Sequence, residues 1–210
     1  MERIICLAVG YVFGLFQTGY LVGKMHHIDI RQKGSGNSGT TNALRVMGWK
    51  AGACTFIGDV LKCILAVVLM RYVYRDSGIA PLLGMYAGLG ATLGHNFPFY
   101  MKFKGGKGIA VMAGLIASTS VWMIPIPLVS FLVAVMFTRY VSLGSLLASS
   151  TFFLEIVMFG KLGGFDMAFP YRMEVYVIAF VLMALAWIRH KENIVRLLHG
   201  TENKFGTKKN

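Results

Sequence analysis

The chain has 210 residues, 56% apolar and only 14% charged, with a mean hydropathy of +0.62 and a net charge of +12. Ordinary soluble domains are roughly 25% charged, so this composition excludes a soluble enzyme and points to one integral membrane domain spanning 1–210. The basic residues lie in short loops rather than in a long run or an amphipathic helix, and no nucleic-acid-binding module is present, so nucleic acid is excluded as a partner.

In chain order, apolar segments predict membrane helices over about 4–23, 50–70, 80–100, 109–124, 126–138, 141–160 and 172–189. The first lacks a small-residue cleavage site near its end and is expected to remain as a span. The fourth and fifth divide one apolar run at Pro125 and Pro127, where a tight turn at the membrane surface is expected. Fifteen of the 21 lysines and arginines fall on the side holding 24–50, 101–108, Arg139 and 189–210, against five on the other. The positive-inside rule then gives an all-α polytopic membrane helix bundle with seven transmembrane helices, N-terminus outside and C-terminus cytoplasmic. Glycine pairs at helical spacing (Gly10/Gly14, Gly19/Gly23, Gly84/Gly88, Gly90/Gly94) predict close helix approach. Cys6, Cys54 and Cys63 are odd in number and dispersed, so neither a disulfide framework nor a metal site is expected.

Three polar blocks interrupt the apolar chain, and the seven-span topology puts them on one membrane face. The first, Gly34–Asn42, formally matches GxGxxG through Gly34, Gly36 and Gly39, yet follows a membrane span rather than a strand, so a dinucleotide fold is rejected. Its backbone amides, with Asn37 and the hydroxyl of Ser35, suit an anion. Thr40, Thr41 and Asn42 then begin a helix whose N-terminus also favours anions, and Arg45 lies one turn in. The second block sets Lys102, Lys104 and Lys107 around Gly105, Gly106 and Gly108, just after His95 and Asn96. It is not a Walker A loop, because Lys107 is followed by glycine. The third, Arg189–Asn193, places His190 and Asn193 three apart on one helix face. Asp59 and Lys62, also three apart, read as an ion pair within the second span, either structural or chemical.

Taken together, Gly34–Arg45, Asp59/Lys62, His95–Gly108 and His190–Ile194 leading to Gly200-Thr201-Glu202 closely resemble the bacterial acyl-phosphate:glycerol-3-phosphate acyltransferase family of integral membrane enzymes. The match covers nearly the whole chain. It departs at Ser38, where the family often has proline, at Thr40, often alanine, and at Lys191, where arginine is common. The resemblance implies acyl transfer from acyl phosphate to the 1-hydroxyl of glycerol 3-phosphate, giving lysophosphatidic acid and phosphate, the first acylation step of phospholipid synthesis. It implies no metal, nucleotide or other cofactor. It also implies a bacterial cytoplasmic membrane setting, membrane lipid as surroundings, and the soluble enzyme that makes acyl phosphate as a partner.

Acyl phosphate is already activated, so positioning and charge stabilisation can carry the catalysis. On this reading Ser35, Arg45, Lys104, His190 and Asn193 are the catalytic candidates. Gly36, Asn37, Gly39, Thr41, Asn42, His95, Gly105, Gly106, Lys107 and Gly108 are the candidates for holding substrate phosphate. The attacking hydroxyl's proton can go to His190 as general base or to a substrate phosphate oxygen, with His190 then orienting glycerol 3-phosphate. The HxxxxD acyltransferase signature is absent, since no histidine has an acid five positions on. The alternative from another class is a membrane transporter of phosphate-bearing anions, although no internal repeat is evident. Arg45→Ala or Lys104→Ala is expected to lower affinity or rate roughly tenfold to a hundredfold, as loss of one charge-assisted contact worth about 1.5–3 kcal/mol requires. Steady-state kinetics on folded protein check this, and unchanged constants would remove both residues from the site. Arg45→Lys should also be impaired, because an ammonium cannot reproduce a planar fork.

Overall fold

The computed structural model describes residues 1–206, all helix, turn and loop with no strand among them. Lys208 and Lys209, part of the C-terminal basic count, lie outside the described residues. The chain forms two compact units, Met1–Thr119 and Ser120–Asn210.

The first unit contains α1 (Glu2–Gly14), α2 (Thr18–Met25), α3 (Thr40–Met47), α4 (Trp49–Val73), α5 (Ala80–Asn96) and α6 (Ile109–Thr119). The expected first span is present but broken: α1 stops at Gly14 and α2 starts at Thr18. Within a membrane such a break persists only if the freed backbone groups find partners in the protein. They do. The carbonyl of Gly14 accepts from Gln17 Nε2 at 3.3 Å, that of Leu15 from the Tyr100 hydroxyl at 2.6 Å, and that of Phe16 from Lys62 Nζ at 2.7 Å.

Helix α5 is the hub of this unit, packed by α1, α4 and α6, with twelve of its seventeen residues buried. The α1–α5 crossing is a backbone-to-backbone contact made possible by glycine. A Cβ at Gly14 would lie 2.9 Å from the Gly94 Cα, and one at Gly90 would lie 2.8 Å from the Tyr11 nitrogen. Gly10 faces the Ala87 backbone and Gly94 the Tyr11 backbone in the same way. The remaining glycine pairs serve other neighbours. Gly19 abuts the backbone of Ser38, and Gly84 and Gly88 receive the side chains of Arg71 and Leu115.

Helix α4 shows the inside–outside sorting of a lipid-facing helix. Ala51, Thr55, Asp59, Lys62, Cys63, Ala66, Val67 and Met70 are buried along one stripe, while Phe56, Ile57, Leu61, Leu65, Val68 and Tyr72 are exposed. The two charges therefore point into protein, where membrane-embedded charges are tolerated.

The second unit contains α7 (Pro125–Thr138), α8 (Val141–Lys161), α9 (Phe169–Arg189) and the short α10 (Lys191–Leu198). The apolar run divides just ahead of the proline pair: α6 ends at Thr119, Val121–Met123 form a 3-10 turn, and α7 begins at Pro125, where the missing N–H costs nothing. Among the described residues, five segments are long and apolar enough to cross a bilayer: Glu2–Met25, Trp49–Val73, Val121–Thr138, Val141–Lys161 and Phe169–Arg189. Of the other two predicted spans, α5 has seventeen residues and α6 eleven.

Gly90→Leu or Gly94→Leu is expected to separate α1 from α5. Overpacking of this kind costs about 1–3 kcal/mol. Thermal unfolding in detergent should show a lower midpoint for either, and a smaller effect for Gly84→Ala, whose new methyl meets the flexible stem of Arg71.

Candidate active site

The first glycine loop (33–39) is organised by a single side chain. Asn42, 2% exposed, accepts from the Ser35 N–H at 2.9 Å through Oδ1. Its Nδ2 donates to the carbonyls of Asn37, Lys33 and Ile30 at 2.9, 3.0 and 3.2 Å. This wraps the loop around the start of α3 and forces Gly34 and Gly36 to φ +62 and +70, where a side chain is strained. A Cβ on Gly34 would in addition collide with Asn42 Oδ1. The N–H groups of Gly36 and Gly39 are used internally, by the Lys33 carbonyl and Asn37 Oδ1. Those of Thr40 and Thr41, the first of α3, have no acceptor among the described residues, so the positive end of the helix dipole stays open to an anion.

The second loop folds back onto the end of α5. Helix ends leave carbonyls without helical partners, and here four consecutive ones are met by distant groups. The Gly94 carbonyl accepts from Gln17 Nε2 at 3.4 Å and that of His95 from Gln17 Nε2 and the Gly106 N–H, both at 3.0 Å. The Asn96 carbonyl accepts from the Gly105 N–H at 3.1 Å and the Phe97 carbonyl from the Tyr11 hydroxyl at 2.8 Å. The expected anion-facing amides of Gly105 and Gly106 are thus donated to α5 instead. What these two glycines supply is room: a Cβ on Gly105 would meet the His95 backbone and lie 2.6 Å from Pro98 Cδ, and one on Gly106 would enter the His95 ring. Lys102 and Phe103, at φ 54 and 59, turn the chain sharply before Lys104.

The two loops touch. Asn37 Nδ2 donates to the Gly105 carbonyl at 3.3 Å, and Ser38 Oγ donates to Gln17 Oε1 at 3.0 Å while Gln17 holds the end of α5. Ser38 makes a hydrogen bond that proline could not. Around this junction Ser35, Arg45 and Lys104 are all exposed, and neither cation makes a hydrogen bond or ion pair among the described residues. Thr41 and Arg45 are one turn apart on α3 and so share a face. His95, at 2% exposure, is beneath the second loop, with Nδ1 2.8 Å from Lys62 Nζ.

In the second unit, His190 ends α9 and Asn193 lies in the first turn of α10; both are buried. His190 Nδ1 is 2.7 Å from the Ala186 carbonyl oxygen. That oxygen can only accept, so Nδ1 carries a proton and donates it to the carbonyl. Glu202 braces the same turn, accepting from Asn193 Nδ2 and Arg196 Nε, each at 2.8 Å. Asp29 is paired with Arg31, whose side-chain and backbone hydrogen bonds hold its carboxyl below the usual carboxylate range. Asp29 and Glu202 are therefore both committed to arginines.

A family model described as glycerol-3-phosphate acyltransferase matches residues 4–200. The chain belongs to the glycerol-3-phosphate acyltransferase family. It is 37% identical over 209 residues to the glycerol-3-phosphate acyltransferase of Thermoanaerobacter sp. (strain X514), covering 99% of this chain and 98% of that one. It is 38% identical over 208 residues to that of Clostridioides difficile (strain 630), covering 98% and 97%. Two crystal structures of PlsY, an integral membrane glycerol 3-phosphate acyltransferase, share its fold. The glycerol 3-phosphate form has a TM-score of 0.85 at 33% identity, and the lysophosphatidic acid form 0.83 at 32%, each covering 99% of this chain and 97% of PlsY. This family member is an all-helical integral membrane protein.

Sequence reading passed over Gln17, Thr18 and Tyr100, and quoted Glu202 without giving it a task. Gln17 carried the one available signal, a lone amide inside an apolar span. Asn42→Ala is expected to leave the Ser35 N–H and the Asn37 carbonyl without their partner, and the Lys33 and Ile30 carbonyls with one donor in place of two. Each buried group so orphaned costs about 1–3 kcal/mol, so the loop should open before the unit unfolds. The measurable outcome is a raised KM for the phosphate-bearing substrates with the helical circular dichroism retained. An unchanged KM would show that the loop's shape does not depend on Asn42.

Proposed function

We propose that this protein transfers a fatty acyl group from acyl phosphate to the 1-hydroxyl of glycerol 3-phosphate, releasing lysophosphatidic acid and inorganic phosphate. The observation that carries the reading is the pair of glycine loops joined through Asn37 and Gly105, with Arg45 and Lys104 exposed and unpaired beside the open N-terminus of α3. Two phosphate-bearing substrates need donors without competing carboxylates, and that is the composition of this surface. The glycerol 3-phosphate and lysophosphatidic acid forms of PlsY support the acceptor and the product.

In the proposed reaction the 1-hydroxyl oxygen attacks the acyl carbonyl carbon, a C–O bond forms, the bond from that carbon to the phosphate oxygen breaks, and the hydroxyl proton passes to a substrate phosphate oxygen. Arg45, Lys104, Ser35 and the first amides of α3 stabilise the charge that collects on the departing phosphate. His190 and Asn193 orient glycerol 3-phosphate. Glu202 fixes Asn193, and Asn42 shapes the first loop. The protein crosses a bacterial inner membrane seven times, with its N-terminus outside and the loops at the cytoplasmic face, where the charge asymmetry favours them. Donor acyl chains lie against apolar helix surfaces within the bilayer.

Detergent-purified protein supplied with glycerol 3-phosphate and acyl phosphate should form lysophosphatidic acid. Acyl-CoA and acyl carrier protein should not replace the donor. Product formation with either thioester would overturn the donor assignment, and anion flux in proteoliposomes without product would overturn the enzyme reading.

A further inference from the structure

Asp59 and Lys62 have no place in the reaction above, yet they are 1% and 4% exposed in a membrane-spanning helix. Lys62 Nζ has three close neighbours: Asp59 Oδ1 at 2.7 Å, the Phe16 carbonyl at 2.7 Å and His95 Nδ1 at 2.8 Å. A protonated lysine has three N–H donors and no acceptor. The Asp59 carboxylate at 2.7 Å favours the ammonium form of Lys62, and with its three donors directed at the three neighbours His95 Nδ1 presents its lone pair to it. The neutral ring then carries its proton on Nε2. Asp59 Oδ1 cannot claim the opposite tautomer, because it stands 3.6 Å from Nδ1, accepts from Lys62 at 2.7 Å and takes the Thr18 hydroxyl at 3.2 Å.

The consequence reaches the second glycine loop. The Nε2 edge of His95 lies directly against Gly106, where an added Cβ would strike Nε2 and stand 2.6 Å from Cε1. The carbonyl of the same residue accepts the Gly106 N–H at 3.0 Å. His95 therefore grips Gly106 by its ring and by its backbone, while Lys62 fixes the ring from behind. Through the Phe16 carbonyl the same ammonium also holds the break in the first span, next to Gln17, which links Ser38 of the first loop to the end of α5.

We propose that Asp59 and Lys62 are positioning residues for glycerol 3-phosphate binding: the ammonium sets the His95 tautomer, and His95 holds Gly106 and the second glycine loop in shape. This rests on reading that loop as part of the phosphate site. The pair touches no substrate and acts only through His95. A purely structural ion pair could be exchanged for apolar residues of similar size with little loss, since buried pairs are often replaceable in that way. A positioning pair could not.

Two measurements test it. Nitrogen-15 NMR of histidine-labelled protein in micelles, with the His95 signals assigned by their loss in His95→Gln, should show a neutral ring protonated at Nε2. A ring protonated at Nδ1, or at both nitrogens, overturns the proposal. The double variant Asp59→Leu/Lys62→Met should remain folded by thermal melting, with KM for glycerol 3-phosphate raised about tenfold or more and kcat little changed. A folded double variant with wild-type KM, or one whose loss is confined to kcat, overturns it. Should that variant not fold, the NMR result on the wild-type protein decides. If Lys104→Ala leaves KM for glycerol 3-phosphate unchanged while His95 shows the Nε2–H tautomer, the phosphate-site reading has failed and the tautomer assignment stands.

Discussion

A backbone carbonyl inside a membrane has no water to turn to, and the interrupted first span exposes three of them in succession. The donors that meet Gly14, Leu15 and Phe16 are Gln17, Tyr100 and Lys62. Each comes from an element that also shapes the candidate site. Lys62 brings Asp59 and His95 with it, Gln17 ties the first glycine loop to α5, and Tyr100 stands at the entry to the second loop. Satisfying one helix break therefore fixes the relative placement of α1, α4, α5 and both loops. The same demand acts at the end of α5, where Gly105 and Gly106 donate their amides to the helix rather than to a ligand.

Glycine has two separate physical tasks in this unit. At Gly34 and Gly36 it allows left-handed backbone that a side chain would strain, and the turn so made is held by Asn42. At Gly14, Gly90 and Gly94 it lets two helix backbones touch, bringing α1 against the hub helix. Gly106 belongs to neither class. It leaves space for an imidazole, and that space is what connects a buried ion pair to a surface loop.

Charge is distributed so that the exposed cations keep their capacity for an anion. Asp29 is neutralised by Arg31, Glu202 by Arg196, and Asp59 by Lys62. Arg45 and Lys104 have no such partner among the described residues. A charge-assisted phosphate contact is worth more than a neutral hydrogen bond, and pairing those cations internally would forfeit it. In the second unit Glu202 does for Asn193 what Asn42 does for Ser35, holding a site candidate through a bond made outside its own helix turn.

Sequence alone determined the membrane class, the positions of seven apolar segments, the three polar blocks and the family. Each of these depends on residue types within a short window: hydropathy over about twenty positions, glycine and lysine clustered within ten, His190 and Asn193 one turn apart. It did not foresee the break at Leu15–Gln17, because nothing local compels it; no proline or glycine pair stands there, and the break persists through donors 46 and 85 residues away. For the same reason it gave no sign that His95 is buried beneath the second loop against Lys62. Lys62 is 33 positions from His95, and Gln17 is 78 from the carbonyl it holds. Hydrogen-bond partners so distant are chosen by how the helices pack. Which amides remain open, which cations remain free and which histidine tautomer is present were decided only by the tertiary structure.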